Sequence, residues 1–384
     1  MIGAGVFAAF TPAAQAAGSG LLVGLAIAAL VAFCNATSTA QLAAASPSSG
    51  GVYVYGRERL GEWWGFLAGW TFVIGKTASC AAMGLAFAVY AVPDAWQRPT
   101  AAVAVAAVVA VNYRGITRTA LAARIIVIVV LAVLGLVIAA GATGMLAGAT
   151  GGGLSGGSGG GPLAVAGSEP FSGGAYGILQ AAGLLFFAFA GYARVATLGE
   201  EVRDPARTIP RAIVLALALT VLVYGAIAVV LLGVLGPQGL AAASAPLLAL
   251  VEQSGWGWAT PLVTVGATAA CLGALLALIA GVGRTTLAMA REGDLPRWLA
   301  AVHPRFAVPH RAELAVAAVV VTLVLTLDVR GAIAFSSFGV LLYYFVANLS
   351  ALRQPPDQRR FPRALAVVGA VACLALVATL PPVA

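Results

Sequence analysis

The sequence has few charged residues. Charged side chains make up 9% of its 384 residues, whereas hydrophobic side chains make up 61%. A soluble domain of this length could not enclose so much apolar surface in one core. The low charge content therefore excludes a soluble globular protein and indicates a chain that folds in a lipid bilayer.

Residues that bind metals or form disulfides are also scarce. The four cysteines lie singly in different apolar runs and show no CxxC spacing, which is typical of small buried residues. They are Cys34, Cys80, Cys271 and Cys373. The two histidines, His303 and His310, have no acidic or cysteine cluster beside them. We expect no metal and no cofactor. The interiors of the apolar runs also offer no nucleophile paired with a base, which argues against a membrane enzyme.

In place of charge, the sequence has apolar runs of roughly 20 residues, each long enough to cross the hydrocarbon layer as a helix. We predict eleven such runs, of which the fourth is short. They are 2–17, 20–45, 63–92, 99–112, 120–146, 175–198, 209–236, 258–290, 311–328, 331–352 and 363–381. The predicted fold class is an all-α polytopic membrane protein.

The net charge of +8 lies mainly in alternate loops. Arginines cluster after the second, fourth, sixth, eighth and tenth runs, whereas the intervening loops carry only Arg98 and Arg330. The positive-inside rule places the arginine-rich loops in the cytoplasm. The basic charge therefore reflects topology and excludes nucleic acid as a partner. Two further cations, Lys76 and Arg194, lie within apolar runs.

Glycines interrupt the first and sixth runs. Gly3 and Gly5 stand in the first, and Gly191 stands in the middle of the sixth. Interrupted segments at matching positions of two halves predict an inverted repeat whose broken helices meet at the bilayer midplane. The freed N–H and C=O groups suit the carboxylate and the ammonium of a zwitterion. The alternative is that the glycines only permit close helix packing.

The chain divides accordingly into four parts. A Gly-rich stretch at 147–174 is predicted to be a flexible linker outside the cell. It separates a first repeat at 1–146 from a second repeat at 175–352, and an additional C-terminal helix occupies 353–384.

Several motifs resemble signatures of the amino acid/polyamine/organocation transporter superfamily. IGAGVF at 2–7 is similar to its first-helix signature, and FFAFAGYARVATLGEEVRDPARTIPRAI at 186–213 is similar to its sixth helix and the following loop. The resemblance continues in SPSSGGVYVYGRERLG at 46–61, GFLAGW at 65–70, NYRGI at 112–116, GRTTLAMAREGDLP at 283–296 and VHPRFAVP at 302–309. It implies a fold of five helices plus five inverted helices, with broken helices 1 and 6, and secondary active transport of amino acids.

The resemblance also implies a binding site. The backbone of the first motif would receive the substrate carboxylate, and carbonyls of the sixth helix would receive its α-ammonium. These residues are Ile2, Gly3, Ala4 and Gly5 for the carboxylate, and Phe187, Ala188 and Ala190 for the ammonium, with Gly191 allowing the break. Phe189 is a candidate gate, with plain packing as the alternative.

Three departures from the family pattern bear on mechanism. The fifth-helix lysine of proton-driven relatives is replaced here by Val130, and the only lysine of the chain is Lys76 in the third run. Burial disfavours the charged amine, so Lys76 is a candidate for proton coupling, for repelling cationic substrates, or for structural bonding to carbonyls. Ala193 replaces the acidic residue that usually follows the sixth-helix motif, and Arg194 beside it is a candidate gate or a loop-paired residue. Gln41 replaces a glutamate of the second helix. These changes favour neutral or acidic substrates.

The two ends of the chain also depart from the family. Relatives have a cytoplasmic segment and a half-helix before the first motif, and a twelfth helix at the other end. We expect either that this sequence lacks those parts or that it is a shortened homologue.

The predicted function is proton-coupled symport of amino acids, with neutral ones favoured, across the bacterial inner membrane. The alternatives are an exporter or exchanger without proton coupling, and a non-transporting sensor on the same scaffold. The sequence leaves open the substrate side chain, the direction of transport, the coupling ion and the oligomeric state.

Overall fold

The computed structural model describes residues 3–46, 50–114, 119–150, 173–191 and 205–381. These ranges are helical and contain no strand. The helices are α1 (Gly5–Ala8), α2 (Phe10–Ala17), α3 (Leu21–Ala45), α4 (Val52–Leu60), α5 (Glu62–Ala91), α6 (Gln97–Tyr113), α7 (Thr119–Thr150), α8 (Gly174–Phe189), α9 (Pro205–Ala242), α10 (Pro246–Gln253), α11 (Thr260–Arg291), α12 (His310–Thr326), α13 (Val329–Leu352) and α14 (Arg363–Thr379). The predicted all-α class is confirmed.

Each predicted apolar run contains a described helix, and most ends agree within a few residues. The sixth run differs, because α8 ends at Phe189 instead of continuing to 198. The chain turns at Ala190 and Gly191, and the rest of that run lies outside the described residues. The fifth run also differs, because α7 reaches Thr150 and so enters the predicted linker. Most of that linker, 151–172, lies outside the described residues.

Six stretches of helix are long and apolar enough to cross a membrane, judged by length and composition over the described residues. They are Phe10–Ala45, Glu62–Ala91, Arg124–Gly148, Arg207–Ala242, Gly257–Arg291 and Val329–Leu352. Gly174–Phe189 and Arg363–Thr379 are shorter apolar helices. The chain is therefore a multi-pass membrane protein, and the predicted number of eleven crossings stays a prediction.

Helix α5 is the most enclosed of these long apolar helices, with 83% of its most apolar 18-residue stretch buried. It crosses α13 where two glycines meet: a β-carbon on Gly339 would stand 2.7 Å from the Cα of Gly75. A hydrogen bond of 2.6 Å joins Ser79 and Ser336 one turn further along. Small side chains therefore let α5 and α13 approach closely, and this contact fixes the side of α5 that faces the interior.

Candidate functional site

A cavity of about 530 Å³ lies between the beginning of α1 and the end of α8. Parts of α5, α7 and α11 complete its wall. Among its lining residues are Gly3, Ala4 and Gly5 from the first motif, and Phe187, Ala188, Ala190 and Gly191 from the sixth helix. The structure thus brings the two predicted groups of backbone-binding residues to one cavity. Ile2 lies outside the described residues.

Both helices stop at this cavity. Helix α1 begins at Gly5 with no side chain capping its first turn, and α8 ends at Phe189. Ala190 then donates its backbone N–H to the carbonyl of Phe187, which makes one tight turn. The first N–H groups and the last C=O groups of an α-helix have no partners within that helix. The cavity wall therefore presents polar backbone inside an apolar protein.

Gly3 and Gly5 have different surroundings. A β-carbon on Gly5 would stand 2.6 Å from the Cα of Ala188 and 2.7 Å from its β-carbon, so no side chain fits there. A β-carbon on Gly3 would meet only the β-carbon of Ala274, at an ordinary 3.7 Å. The alternative of close helix packing therefore describes Gly5, whereas Gly3 borders open cavity.

Each of the three carbonyls predicted to receive an ammonium already has a donor from the protein. Lys76 Nζ donates to the carbonyl of Ala190 at 3.0 Å, and the Tyr224 hydroxyl donates to the carbonyl of Ala188 at 3.3 Å. The carbonyl of Phe187 accepts the turn hydrogen bond from Ala190. Because a carbonyl oxygen has two lone pairs, each retains a second acceptor position.

The interrupted helices are also held by tyrosines from their neighbours. The Tyr90 hydroxyl, near the end of α5, donates to the carbonyl of Phe7 at 3.0 Å. The Tyr224 hydroxyl on α9 lies close to the backbone of Gly3 as well as bonding to Ala188. Tyr224 therefore links the two interrupted segments. Sequence reasoning missed both tyrosines, because their partners are backbone atoms on helices far along the chain.

Lys76 is buried, with 6% of its surface exposed, and it lines the cavity. Its contact with Ala190 matches the alternative of a lysine bonded to carbonyls. That contact is to the same backbone segment that the resemblance assigns to the substrate. The other cations of the described wall are Arg284 and Arg291, and no carboxylate is present among its described residues.

Of the two predicted gating residues, Phe189 is among the described residues and Arg194 is not. Phe189 is fully buried, stands 5.4 Å from the ring of Tyr224, and is absent from the described cavity wall. This position favours the packing alternative, whereas Phe187 of the same helix lines the cavity. Arg194 lies outside the described residues. Gln41 accepts backbone hydrogen bonds from Arg360 and Phe361, which ties α3 to the loop before α14.

One end of the cavity reaches a polar cluster in the predicted cytoplasmic loops. The Tyr53 hydroxyl donates to Asp294 at 2.6 Å, and Arg57 pairs with the same carboxylate at 3.0 Å. Burial and the hydrogen bond to Asp294 raise the pKa of Tyr53, so the phenol stays neutral. The cluster joins α4 to the turn that follows α11. Its residues belong to two of the family motifs, at 46–61 and at 283–296, whose pairing the sequence did not indicate.

A second unpredicted group is a carboxylate near the start of α12. Glu313 is 2% exposed, and its Oε2 has no hydrogen-bond partner among the described residues. Its side chain packs on the backbone of Gly283, and Arg284 interacts with it electrostatically. Glu313 therefore places a buried carboxyl group behind a cation that lines the cavity. In the sequence Glu313 stands near the beginning of an apolar run, where a charged residue is usually assigned to the adjoining loop.

A helical membrane protein with a cavity between the ends of two helices resembles membrane transporters, whose binding sites lie at such helix ends. A family model described as "Amino acid permease" matches residues 1–381. The chain therefore belongs to the amino acid permease family.

Three relatives illustrate the family. An uncharacterized transporter of Mycobacterium tuberculosis is 58% identical over 99% of this chain and 83% of its own length. A branched-chain amino acid permease of Bacillus subtilis is 27% identical over 81% of this chain and 68% of its own. A vacuolar cationic amino acid transporter of Arabidopsis thaliana is 30% identical over 95% of this chain and 59% of its own.

Proposed function

We propose that this protein carries neutral amino acids across a bacterial plasma membrane by alternating access, coupled to protons. The observation that carries the proposal is the cavity between α1 and α8, where the motifs predicted to bind carboxylate and ammonium line the same space. The similarity to a mycobacterial transporter supports the assignment to a bacterial membrane.

Backbone atoms hold the head of the substrate in this proposal. The carboxylate approaches the backbone N–H groups around Gly3, Ala4 and Gly5, and the ammonium approaches the carbonyl of Ala190. Gly3 supports this arrangement, because its β-carbon position is open to the cavity. Gly5 contributes by letting Ala188 come close, so that the two interrupted helices face the same small volume.

The charge of the wall favours substrates without an extra positive charge. Lys76, Arg284 and Arg291 line the cavity, and the described residues of its wall include no acidic side chain. Apolar side chains supply much of the remaining wall, as in Phe72 and Met83. The relatives' names point to both branched-chain and cationic substrates. The cations of this wall support the neutral class, because like charges repel across a low-dielectric cavity.

Lys76 is the proposed site of proton coupling. An ammonium at the centre of a membrane helix costs roughly 2.5–3.5 kcal/mol on insertion scales, so one that faces a cavity is expected to have a function. Lys76 contacts the interrupted helix directly through Ala190. A change in its protonation would therefore act on the segment that holds the substrate.

Alternating access is proposed to follow from the two repeats, 1–146 and 175–352, moving relative to each other around this cavity. The meeting of the start of α1 with the end of α8 supports that arrangement, because an inverted repeat opposes such helix ends.

The test is transport by the purified chain in proteoliposomes. The twenty standard amino acids are first screened for thermal stabilisation, and those that bind are then assayed for uptake with and without an inward proton gradient. We expect the uptake of neutral amino acids to change with the gradient. The Lys76→Met variant should bind substrate but lose the dependence of its uptake rate on pH between about 5 and 8.

Two results would contradict the proposal. Binding without any uptake would identify a sensor, and exchange of amino acids that ignores the gradient would identify an exchanger without proton coupling. The matched control is Gly135→Ala, whose added β-carbon meets nothing within 4 Å and lies away from the cavity. It should behave as wild type in both assays.

A further inference from the structure

The Lys76 ammonium stands where the proposed function places the ammonium of the substrate. Its Nζ lies 3.0 Å from the carbonyl oxygen of Ala190, across 114 positions of sequence. A substrate amine that binds to this carbonyl would meet a positive charge already bound to the same oxygen. Two protonated amines on one acceptor are separated by a few ångströms, and they repel strongly in a medium of low dielectric constant.

Little in the surroundings would offset that repulsion. In the part of the chain that the structure describes, neither of the ion pairs involves Lys76. On α5 itself, the titratable group that interacts with Lys76 is Cys80, one turn away. Of the helices packed against α5, α4 contributes Tyr53 to the described cavity wall, and α11 contributes Arg284 and Arg291.

The remaining helices packed on α5 add no charge to the described wall. Helices α1, α6, α12 and α13 place no titratable side chain there. Tyr343 of α13 is buried against α4, where it accepts a hydrogen bond from the backbone of Val52. Glu313 of α12 lies behind Arg284, outside the wall. The titratable side chains that share the described cavity wall with Lys76 are therefore neutral or positive.

We propose that Lys76 competes with the substrate ammonium for the carbonyl of Ala190. The carrier then holds either a proton on Lys76 or an amino acid, and it transports by exchanging one for the other. This inference rests on the proposed function and changes its expected mode from symport to exchange. When the substrate binds, Lys76 releases its proton to water in the cavity, and the neutral amine leaves the Ala190 carbonyl. When the substrate departs, Lys76 takes up a proton and returns to that carbonyl.

Exchange and symport predict opposite effects of pH on binding. If proton and substrate exclude each other, linkage requires that each weakens the binding of the other by the same factor. Substrate affinity should then increase by about tenfold per pH unit as the pH rises toward the titration midpoint of Lys76. In symport the substrate binds best to the protonated carrier, so its affinity falls as the pH rises.

Lys76 can be observed directly because it is the only lysine in the sequence. Lysine labelled with ¹⁵N at Nζ gives a single side-chain signal from the full chain in lipid nanodiscs, and Lys76→Gln assigns the signal by removing it. The signal is titrated with pH, first alone and then with each standard amino acid that stabilises the wild type. The corresponding acid without the amine serves as the control probe, for example propanoate for alanine and 4-methylpentanoate for leucine.

The proposal predicts that saturating amino acid moves the Lys76 midpoint to lower pH by at least one unit, whereas the amine-free acid does not. A midpoint that stays in place or moves to higher pH with amino acid would overturn the exchange mechanism and leave amino acid transport intact. If none of the twenty amino acids binds, the proposed function fails and the exchange mechanism fails with it.

Two variants check the same point by binding alone. Lys76→Gln removes the charge, so its affinity should be at least tenfold higher than wild type at low pH and independent of pH. Lys76→Arg keeps a permanent charge, so its affinity should be low at every pH. Gly135→Ala is the control, because its added β-carbon meets nothing within 4 Å and changes no charge, and it should keep the wild-type slope. The labelling result on the wild type decides the question if a variant fails to fold.

Discussion

Gly5 and Ala188 touch so closely that a β-carbon on Gly5 would stand 2.6 Å from the Cα of Ala188. This contact joins the first interrupted helix to the sixth, and it leaves no room for any side chain. The same motif contains Gly3, where the corresponding space is open apart from Ala274 at 3.7 Å. Two glycines of the same motif therefore have different roles: Gly5 permits close packing, and Gly3 borders the cavity.

The first prediction separates these two tasks. Gly5→Ala should lower stability by about 1–3 kcal/mol, because the methyl group forces α1 and α8 apart. Gly3→Ala should leave thermal stability near wild type but weaken amino acid binding, since its methyl group projects into the cavity. Melting temperature and binding affinity, measured on both variants, check the prediction. Tight binding by a stable Gly3→Ala protein would contradict the assignment of Gly3 to the substrate carboxylate.

The second prediction concerns the crossing of α5 and α13. Gly339→Val should destabilise the protein by several kcal/mol, because its β-carbon would overlap the backbone of Gly75 and the carbonyl of Thr71. Displacing α5 also displaces Lys76, so transport should fall in any protein that still folds. Gly225→Ala is the matched control, because its added β-carbon meets nothing within 4 Å. Equal melting temperatures for the two variants would refute the close crossing.

The third prediction concerns the tyrosines that bind the interrupted backbone. Tyr90→Phe and Tyr224→Phe each leave a buried carbonyl with one donor fewer, at Phe7 and Ala188 respectively. Each change should cost about 1–3 kcal/mol of stability. Tyr224→Phe should also weaken substrate binding, since Tyr224 links both interrupted segments. Hydrogen exchange at the backbone of residues 3–10 and 185–191 measures the loosening, and unchanged protection in both variants would count against the two hydrogen bonds.

The fourth prediction concerns the cytoplasmic cluster at the end of the cavity. Asp294 accepts from the Tyr53 hydroxyl and pairs with Arg57, and the Asp294 side chain is 17% exposed. Asp294→Asn should lower stability by about 1 kcal/mol, because the partly exposed charge pair becomes a neutral contact. Labelling of a cysteine placed at Gly50, which lines the cavity, should become faster as α4 loosens from α11. A labelling rate equal to that of the otherwise wild-type cysteine variant would show that the cluster does not hold this end of the cavity.

Much of the fold could be predicted because the relevant signals are local. Apolar runs, arginine-rich loops and glycine positions each depend on neighbouring residues. They predicted the helices and a break at Gly191, two residues beyond the observed end of α8 at Phe189. The candidate site could be predicted only in outline. The two glycine-containing motifs meet in one cavity, yet the sequence did not indicate which glycine packs against a helix and which one borders the cavity.

The residues that sequence reasoning missed share one physical cause. Tyr90, Tyr224 and Glu313 have ordinary positions in apolar helices, and their partners lie on other helices. The order of residues in one helix does not show which backbone carbonyl of another helix a tyrosine hydroxyl will reach. The same limit applied to Phe189, whose packing against Tyr224 depends on where α9 lies.

The sequence by itself determined that this is a helical membrane protein and where most of its described helices lie. Hydrophobicity and backbone propensity determine those features, and both act over one or two turns of helix. The tertiary structure alone decided that Lys76 reaches the carbonyl of Ala190 and that Gly5 presses against Ala188. Such contacts depend on how helices far apart in the chain cross, and crossing is set by the combined packing of many side chains, which no single segment encodes.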